Sequence, residues 1–299
     1  MLVNGSNLTT LFTGFKGAFN TGFEGAPSAY KKIAMTVPSS TREEQYGWLG
    51  QFPKMREWIG SRIIWNLSAS NFTIKNLDFE LTVEVSRNDI EDDRYGIYAP
   101  LFQELGRSAA EKPDELIFHL LSNGFSEVCY DGQYFFDTDH PVTVDNVATS
   151  KSNMIAGGSE PWFLLDTTKA FKPLVYQERK PLNNIVSKDK MTDDNVFWNK
   201  TFIYGTDGRC NAGYGLWQLA YGIKDTLTAA NYKTARAAMM NQVGDSNRPL
   251  NITPNLLICG PNNESAARKL LNSEYAAGGE TNEWKGSAEL LVTQWATAA

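Results

Sequence analysis

A chain of 299 residues, 42% of them hydrophobic and 21% charged, can bury the core of one large domain or two medium ones. Its formal charge of −6 argues against a dedicated nucleic-acid binder, which needs a basic face to neutralise phosphates. No apolar run approaches the ~18 residues of a membrane helix, the first residues lack a basic signal region, and Cys129, Cys210 and Cys259 are too scattered for a metal motif and suit a reducing compartment.

Residues 1–30 mix Gly5, Gly14, Gly17, Gly22 and Gly25 with Phe12, Phe15, Phe19 and Phe23. The phenylalanines fall at helical spacing, but each glycine lowers helix propensity by up to about 1 kcal/mol. The segment therefore reads as an arm whose aromatic rings need a surface supplied by the body or by a neighbouring molecule. A helix folded onto its own core is the alternative.

Strict alternation of Leu77, Phe79, Leu81, Val83 and Val85 with polar residues predicts a strand with one wet face. The β-prone run 61–67 and the turn residues at 68–71 make it one limb of a long hairpin. Upstream, Trp48, Phe52, Trp58 and Trp65 are interleaved with Lys54, Arg56 and Arg62. The far strand carries Asp78, Glu80 and Glu84 and leads into Asp89, Glu91, Asp92 and Asp93. A hairpin with one basic, aromatic limb and one acidic limb suits pairing with copies of itself.

From 95 to 123 apolar or small residues recur at Leu101, Leu105, Ala109, Leu116 and Leu120, the stripe of a long spine helix. At ~1.5 Å per residue it would span nearly 40 Å. Pro113, followed by Asp114 and Glu115, is expected to kink or restart it, and Gly124 to end it in the left-handed conformation. Short strands follow near 128–136, 162–165, 174–176 and 202–204, with a loop over 143–160 and glycine-rich tight turns over 204–215. Then come a helix over 228–243 capped by Thr228, a strand at 256–258, a helix at 264–272 and a last strand at 290–292. Irregular mixing of helices and strands indicates an α+β fold.

Asp137, Asp139 and His140 place two carboxylates and an imidazole within four residues, donors that a metal-dependent hydrolase would use. Cys129 with His140 is a further conceivable nucleophile pair. Yet only one other histidine, His119, exists to complete a metal site, and Asp-Thr-Asp-His-Pro is good turn chemistry. A structural turn, with no metal or cofactor, is the better account of Asp137, Asp139 and His140.

The run RYGIYAPLFQELGRSAAEKPDELIFHLLSNGFSEVCYDGQYFFDTDHPV (94–142) resembles the major head subunits of Mu-like tailed phages and prophages. WFLLDTTKAFKPLVYQERKP (162–181), LTAANYKTARAAMMNQVGD (227–245) and TNEWKGSAELLV (281–292) are similar to further blocks of that family. The resemblance implies the tailed-phage major-capsid fold. Its expected parts are an N-terminal arm (1–44), an extended loop (45–88), a peripheral domain (89–194), an axial domain (195–285) and a C-terminal strand (286–299) returning to the peripheral domain. It implies a non-enzymatic shell protein that partners itself in hexamers and pentamers, assembled in the bacterial host cytoplasm without a membrane. A portal and a separate scaffolding protein are further expected partners, a decoration protein another, and the shell would enclose double-stranded DNA without reading its sequence. Inter-subunit contacts are expected from Phe12, Phe15, Phe19 and Phe23 of the arm, and from Lys54, Arg56, Trp58, Arg62, Trp65, Asp78, Glu80, Glu84, Asp92 and Asp93 of the hairpin. The rival readings are the hydrolase and a tail or connector protein.

Overall fold

The computed structural model describes residues 3–47, 72–92, 94–144, 147–244, 248–276 and 278–297. Lys54, Arg56, Trp58, Arg62, Trp65 and Asp93 lie outside the described residues.

The first segment is a 21-residue helix, α1 (Gly5–Gly25), opened by Asn4, whose side chain accepts the Asn7 N–H. Leu8, Leu11, Phe15 and Phe19 are buried along one face. Those four side chains, at about 1.5–3 kcal/mol each, outweigh the helix cost of five glycines at up to about 1 kcal/mol each. Two glycines also serve a purpose the composition did not suggest. A Cβ at Gly22 would sit 1.9 Å from the Gln103 carbonyl oxygen, and one at Gly106 would sit 2.0 Å from that of Phe19. Bare backbones thus let α1 lie directly on the spine helix. Of the two surfaces expected for these rings, body or neighbour, the body of the same chain covers Phe15 and Phe19, which corrects their expected place at an inter-subunit contact.

After α2 (Tyr30–Ile33) come β1 (Ala34–Pro38), β2 (Glu43–Gln45), β3 (Thr73–Lys75), β4 (Leu77–Ser86) and α3 (Arg87–Glu91), then a single 3-10 turn into the spine, α4 (Ala99–Asn123). The buried stripe of α4 is Phe102, Leu105, Ala109, Ile117, Phe118 and Leu121. It lies rotated from the expected one, and Leu101 is 41% exposed. Pro113 neither breaks nor restarts the helix. Asp114, expected to open a new helix, caps another instead: its Oδ1 accepts the N–H groups of Ala29 and Tyr30 at 2.9 and 2.6 Å, where α2 begins. Gly124 ends α4 in a right-handed conformation (φ −57°), contrary to expectation. It is small because a Cβ there would meet the Phe136 ring at 2.7 Å.

The chain continues through β5 (His140–Val144), β6 (Val147–Lys151), β7 (Met154–Ile155), β8 (Trp162–Leu165), β9 (Leu174–Lys180), β10 (Ile185–Lys188), α5 (Asp194–Asn199) and β11 (Thr201–Tyr214). It ends with β12 (Ala220–Ile223), α6 (Ala229–Met240), β13 (Val243–Gly244), β14 (Arg248–Pro249), β15 (Leu256–Cys259), α7 (Glu264–Asn272) and β16 (Glu289–Val292). Residues 204–215, expected as turns, lie mostly in the 14-residue strand β11, and the expected loop 143–160 holds β6 and β7.

One sheet runs β1-β9-β11-β10, with β4 also pairing β11 over ten residues from Thr201↔Ser86 to Cys210↔Leu77. A second runs β16-β15-β8-β12-β7. Phe163, Leu165, Leu256 and Ile258 face the core shared with α1, α4 and the first sheet. Trp162, Leu164, Leu257 and Cys259 face Tyr232, Ala235 and Met239 of α6 and Ala267 and Leu271 of α7. Covered on both faces, β8 and β15 read as unbroken apolar runs.

These pairings shift the expected domain borders. A division at 194/195 would part β10 from β11, which pair directly. Residues 154–165 belong with the second sheet, as does β16, which pairs β15 in parallel. Only the turn after β16 comes back to the spine, burying Ala296 and setting Trp295 6.2 Å from His119.

Candidate functional site

The described ends of the extended loop are clamped. Glu43–Gln45 pairs antiparallel with Thr73–Lys75, and fully buried Gln177 of β9 ties both strands down. Its amide donates to the Ile74 carbonyl (3.1 Å) and to Asn76 Oδ1 (2.8 Å), and its Oε1 accepts the Tyr46 hydroxyl (2.8 Å). Burial, with Glu44 nearby, pushes the Tyr46 hydroxyl up to about 12, so it remains a donor at neutral pH. Glu44 accepts the backbone N–H groups of Ser40 and Thr41 and the hydroxyls of Ser39 and Thr41, which hold its carboxyl below the ordinary value.

Strand β4 differs from its expected form. Its partner is β11, and no described strand pairs its other edge. Leu77 and Leu81 are 45% and 36% exposed, while Phe79 and Val83 are half-buried, so the described residues cover the apolar face only partly. Of its acidic residues, Asp78 pairs with Arg209 at 2.7 Å, Glu80 accepts the Thr82 hydroxyl at 2.6 Å, and Glu84 is exposed. Asp92 is also exposed. A second apolar surface, unremarked in the sequence, is the pair Phe197 and Trp198 on α5, 70% and 75% exposed. Phe12 and Phe23 are half-buried against Tyr204 and Phe19.

Asp137, Asp139 and His140, the trio of the rival hydrolase reading, do not converge on one site. Asp137 binds local backbone, accepting the Thr138 N–H at 2.7 Å and the Tyr134 N–H at 3.3 Å. Asp139 is exposed, and the Asp137 carboxylate beside it raises its carboxyl above the ordinary value. His140 is buried, and its partners are two residues that the sequence did not single out. Nδ1 lies 2.7 Å from Asp131 Oδ2 and Nε2 lies 3.1 Å from Asn153 Oδ1. The ring stacks on the Trp217 indole at 3.9 Å and 8°. Asp131 sits in a YDGQ turn before β5, which was the one available signal.

Among the described residues, Cys129, Asp131 and His140 form the one group of three or more metal-type donors. The thiol already donates to Asp131 Oδ1 at 3.1 Å, and the other carboxylate oxygen serves His140. Burial, then Asp131, pushes the Cys129 thiol well up, away from the thiolate that both a nucleophile and a metal ligand require. The cluster is a closed hydrogen-bond network.

Residues 8–296 match the family described as the Mu-like prophage major head subunit gpT. The major capsid protein of Escherichia phage Mu is 45% identical over 306 aligned positions, covering 99% of this chain and 100% of that one. A chain of the bacteriophage JBD30 procapsid superimposes with a TM-score of 0.88 at 43% identity, covering 98% of this chain and 100% of that one. A chain from the JBD30 capsid decorated with minor capsid protein trimers gives 0.76 at 35% identity, covering 90% and 91%. With its helix pair, its two sheets and a clamped loop matched along nearly its whole length, the chain belongs to the Mu-like major head subunit family and has the tailed-phage major-capsid fold of a shell-forming major capsid protein.

Proposed function

We propose that this subunit closes its shell through surfaces its own fold leaves uncovered, and that it performs no catalysis. The observation that carries this is β4: ten residues pair with β11 on one edge, no described strand takes the other, and Leu77 and Leu81 of its apolar face are exposed. In a ring of six or five copies the same surface recurs beside every neighbour. The basic, Trp-bearing segment 54–65 of one copy then meets the acidic flank of the next at Glu80, Glu84 and Asp92, with Phe197 and Trp198 a second contact. Each exposed ion pair contributes about 0–1 kcal/mol, but the shell repeats it in every subunit. Assembly would take place in the host cytoplasm with a separate scaffolding protein and a portal. The JBD30 capsid decorated with minor capsid protein trimers supports a decoration partner as well. A negatively charged subunit suits a wall that encloses DNA without gluing to it.

Reversing Arg56 and Arg62 to glutamate tests the reading. Particle yield by light scattering and microscopy should fall severalfold at low salt, while the melting of the isolated subunit is unchanged. Normal particles with unchanged thermal stability would remove segment 54–65 from the contacts.

A further inference from the structure

The buried histidine raises a question of protons that the shell-forming role does not answer. Asn153 fixes the answer at one end of the ring. Its Nδ2 donates to the carbonyls of Phe135 (2.7 Å), Trp217 (3.4 Å) and Ala220 (3.4 Å), so that end must be the amide NH2. The other end, Oδ1, accepts the Asp137 N–H at 2.9 Å and faces His140 Nε2. An amide oxygen cannot donate, so Nε2 must carry a proton. At the opposite side of the ring, Nδ1 faces Asp131 Oδ2, and the remaining Asp131 oxygen accepts from the Gln133 N–H and the Cys129 thiol, both at 3.1 Å. Burial alone would favour the neutral acid at Asp131, but the hydrogen bonds from His140 and Cys129 prevail and hold it below the ordinary value. An ionised carboxylate requires a second proton on the ring. Trp217 supplies the indole face on which such a cation is stable.

We propose that His140 stands in the folded subunit as an imidazolium, a proton on each ring nitrogen, and that this charge latches the turn 129–133 and the ribbon β5·β6 onto β12. Losing either proton would set a bare nitrogen against an acceptor, and Asn153 cannot turn over to relieve it because its own amide is committed to Phe135. Of the other groups around it, Asp137 and Asp139 precede the ring and Lys151 lies opposite across the ribbon. Tyr130 donates its hydroxyl to Gln218. The described residues of the turn 217–219, β12 and β13 bring no charge.

The chain has two histidines, so protein grown on ¹³C,¹⁵N-histidine carries two labelled rings, and His119→Gln leaves His140 alone. Solid-state NMR of assembled particles at pH 8 should show both His140 nitrogens protonated. In Asp131→Asn, which removes the carboxylate charge, the ring should be neutral at the same pH. A bare ring nitrogen at pH 8 in the parent protein would overturn the proposal. A ring still doubly protonated in Asp131→Asn would overturn the part assigned to Asp131. Should that variant fail to fold, the measurement on the parent decides alone.

Discussion

Helix α1 and strand β4 both announce themselves by apolar periodicity, yet Phe19 of the first is completely buried while Leu77 of the second is 45% exposed. The difference lies in what stands opposite. Gly22 and Gly106 bring two backbones of one chain into contact, so the phenylalanines of α1 are covered within the subunit. Along the outer flank of β4 no described strand takes its other edge. Periodicity therefore says which face is apolar and is silent on which molecule covers it. In a shell protein that is the distinction between folding and assembly.

Filling the helix contact should break the covered side hardest. Gly106→Leu puts a side chain where the Phe19 carbonyl lies 2.0 Å from the first added carbon. An expected loss of more than about 3 kcal/mol would appear as insoluble subunit or a collapsed denaturation midpoint. Gly17→Ala, with nothing within 4 Å of the added carbon, should instead be neutral or gain up to about 1 kcal/mol.

Removing the covering side chains comes next. Phe15, stacked on Phe102 at 4.1 Å, should cost about 3–5 kcal/mol when changed to Ala. Deleting residues 2–25 would strip Phe102, Leu105 and Ala109 of their cover and should abolish soluble subunit. A truncated subunit that stayed folded and monomeric would restore the view of this segment as an arm.

The uncovered side should respond in the opposite sense. Leu77→Ser combined with Leu81→Ser should change subunit stability by no more than about 1 kcal/mol but reduce particle yield. Equal losses in both would make β4 an ordinary part of the subunit core.

The smallest effect is expected at the loop base. Four hydrogen bonds from residues 39–41 favour the ionised form of Glu44. A carboxyl held low in the folded state contributes stability above its unfolded value, and that contribution is lost as pH falls through the lower, folded one. Protease cleavage near Gly47 should rise only at acid pH in the parent chain. In Glu44→Gln it should be slightly raised and independent of pH.

The order of helix, loop, spine and sheet elements was legible because each carries a period of its own. What escaped was whatever depends on the other side of a contact. The spine stripe was placed beside its true position because Leu101 and Phe102 are both apolar and only the packing of α1 selects Phe102. The glycines of 204–215 signalled turns, although Gly208 and Gly213 sit within β11 beneath the side chains of Leu182 and Ile74. The partners of His140 were hidden for a related reason: Asp131 and Asn153 are nine and thirteen residues away, and nothing in their local sequence marks an inward-facing polar group.

Gln177 has a mechanical consequence. Two three-residue strands flank residues 48–71 in the chain, and one buried amide grips the chain both before and after that segment, at Tyr46, Ile74 and Asn76. Tension applied to the loop cannot be absorbed by parting β2 from β3 alone. It passes through Gln177 into β9, held between β1 and β11, and so into the widest sheet connections of the body. Under pressure from within a shell, the loop would act as a tether anchored in the frame rather than in its skin.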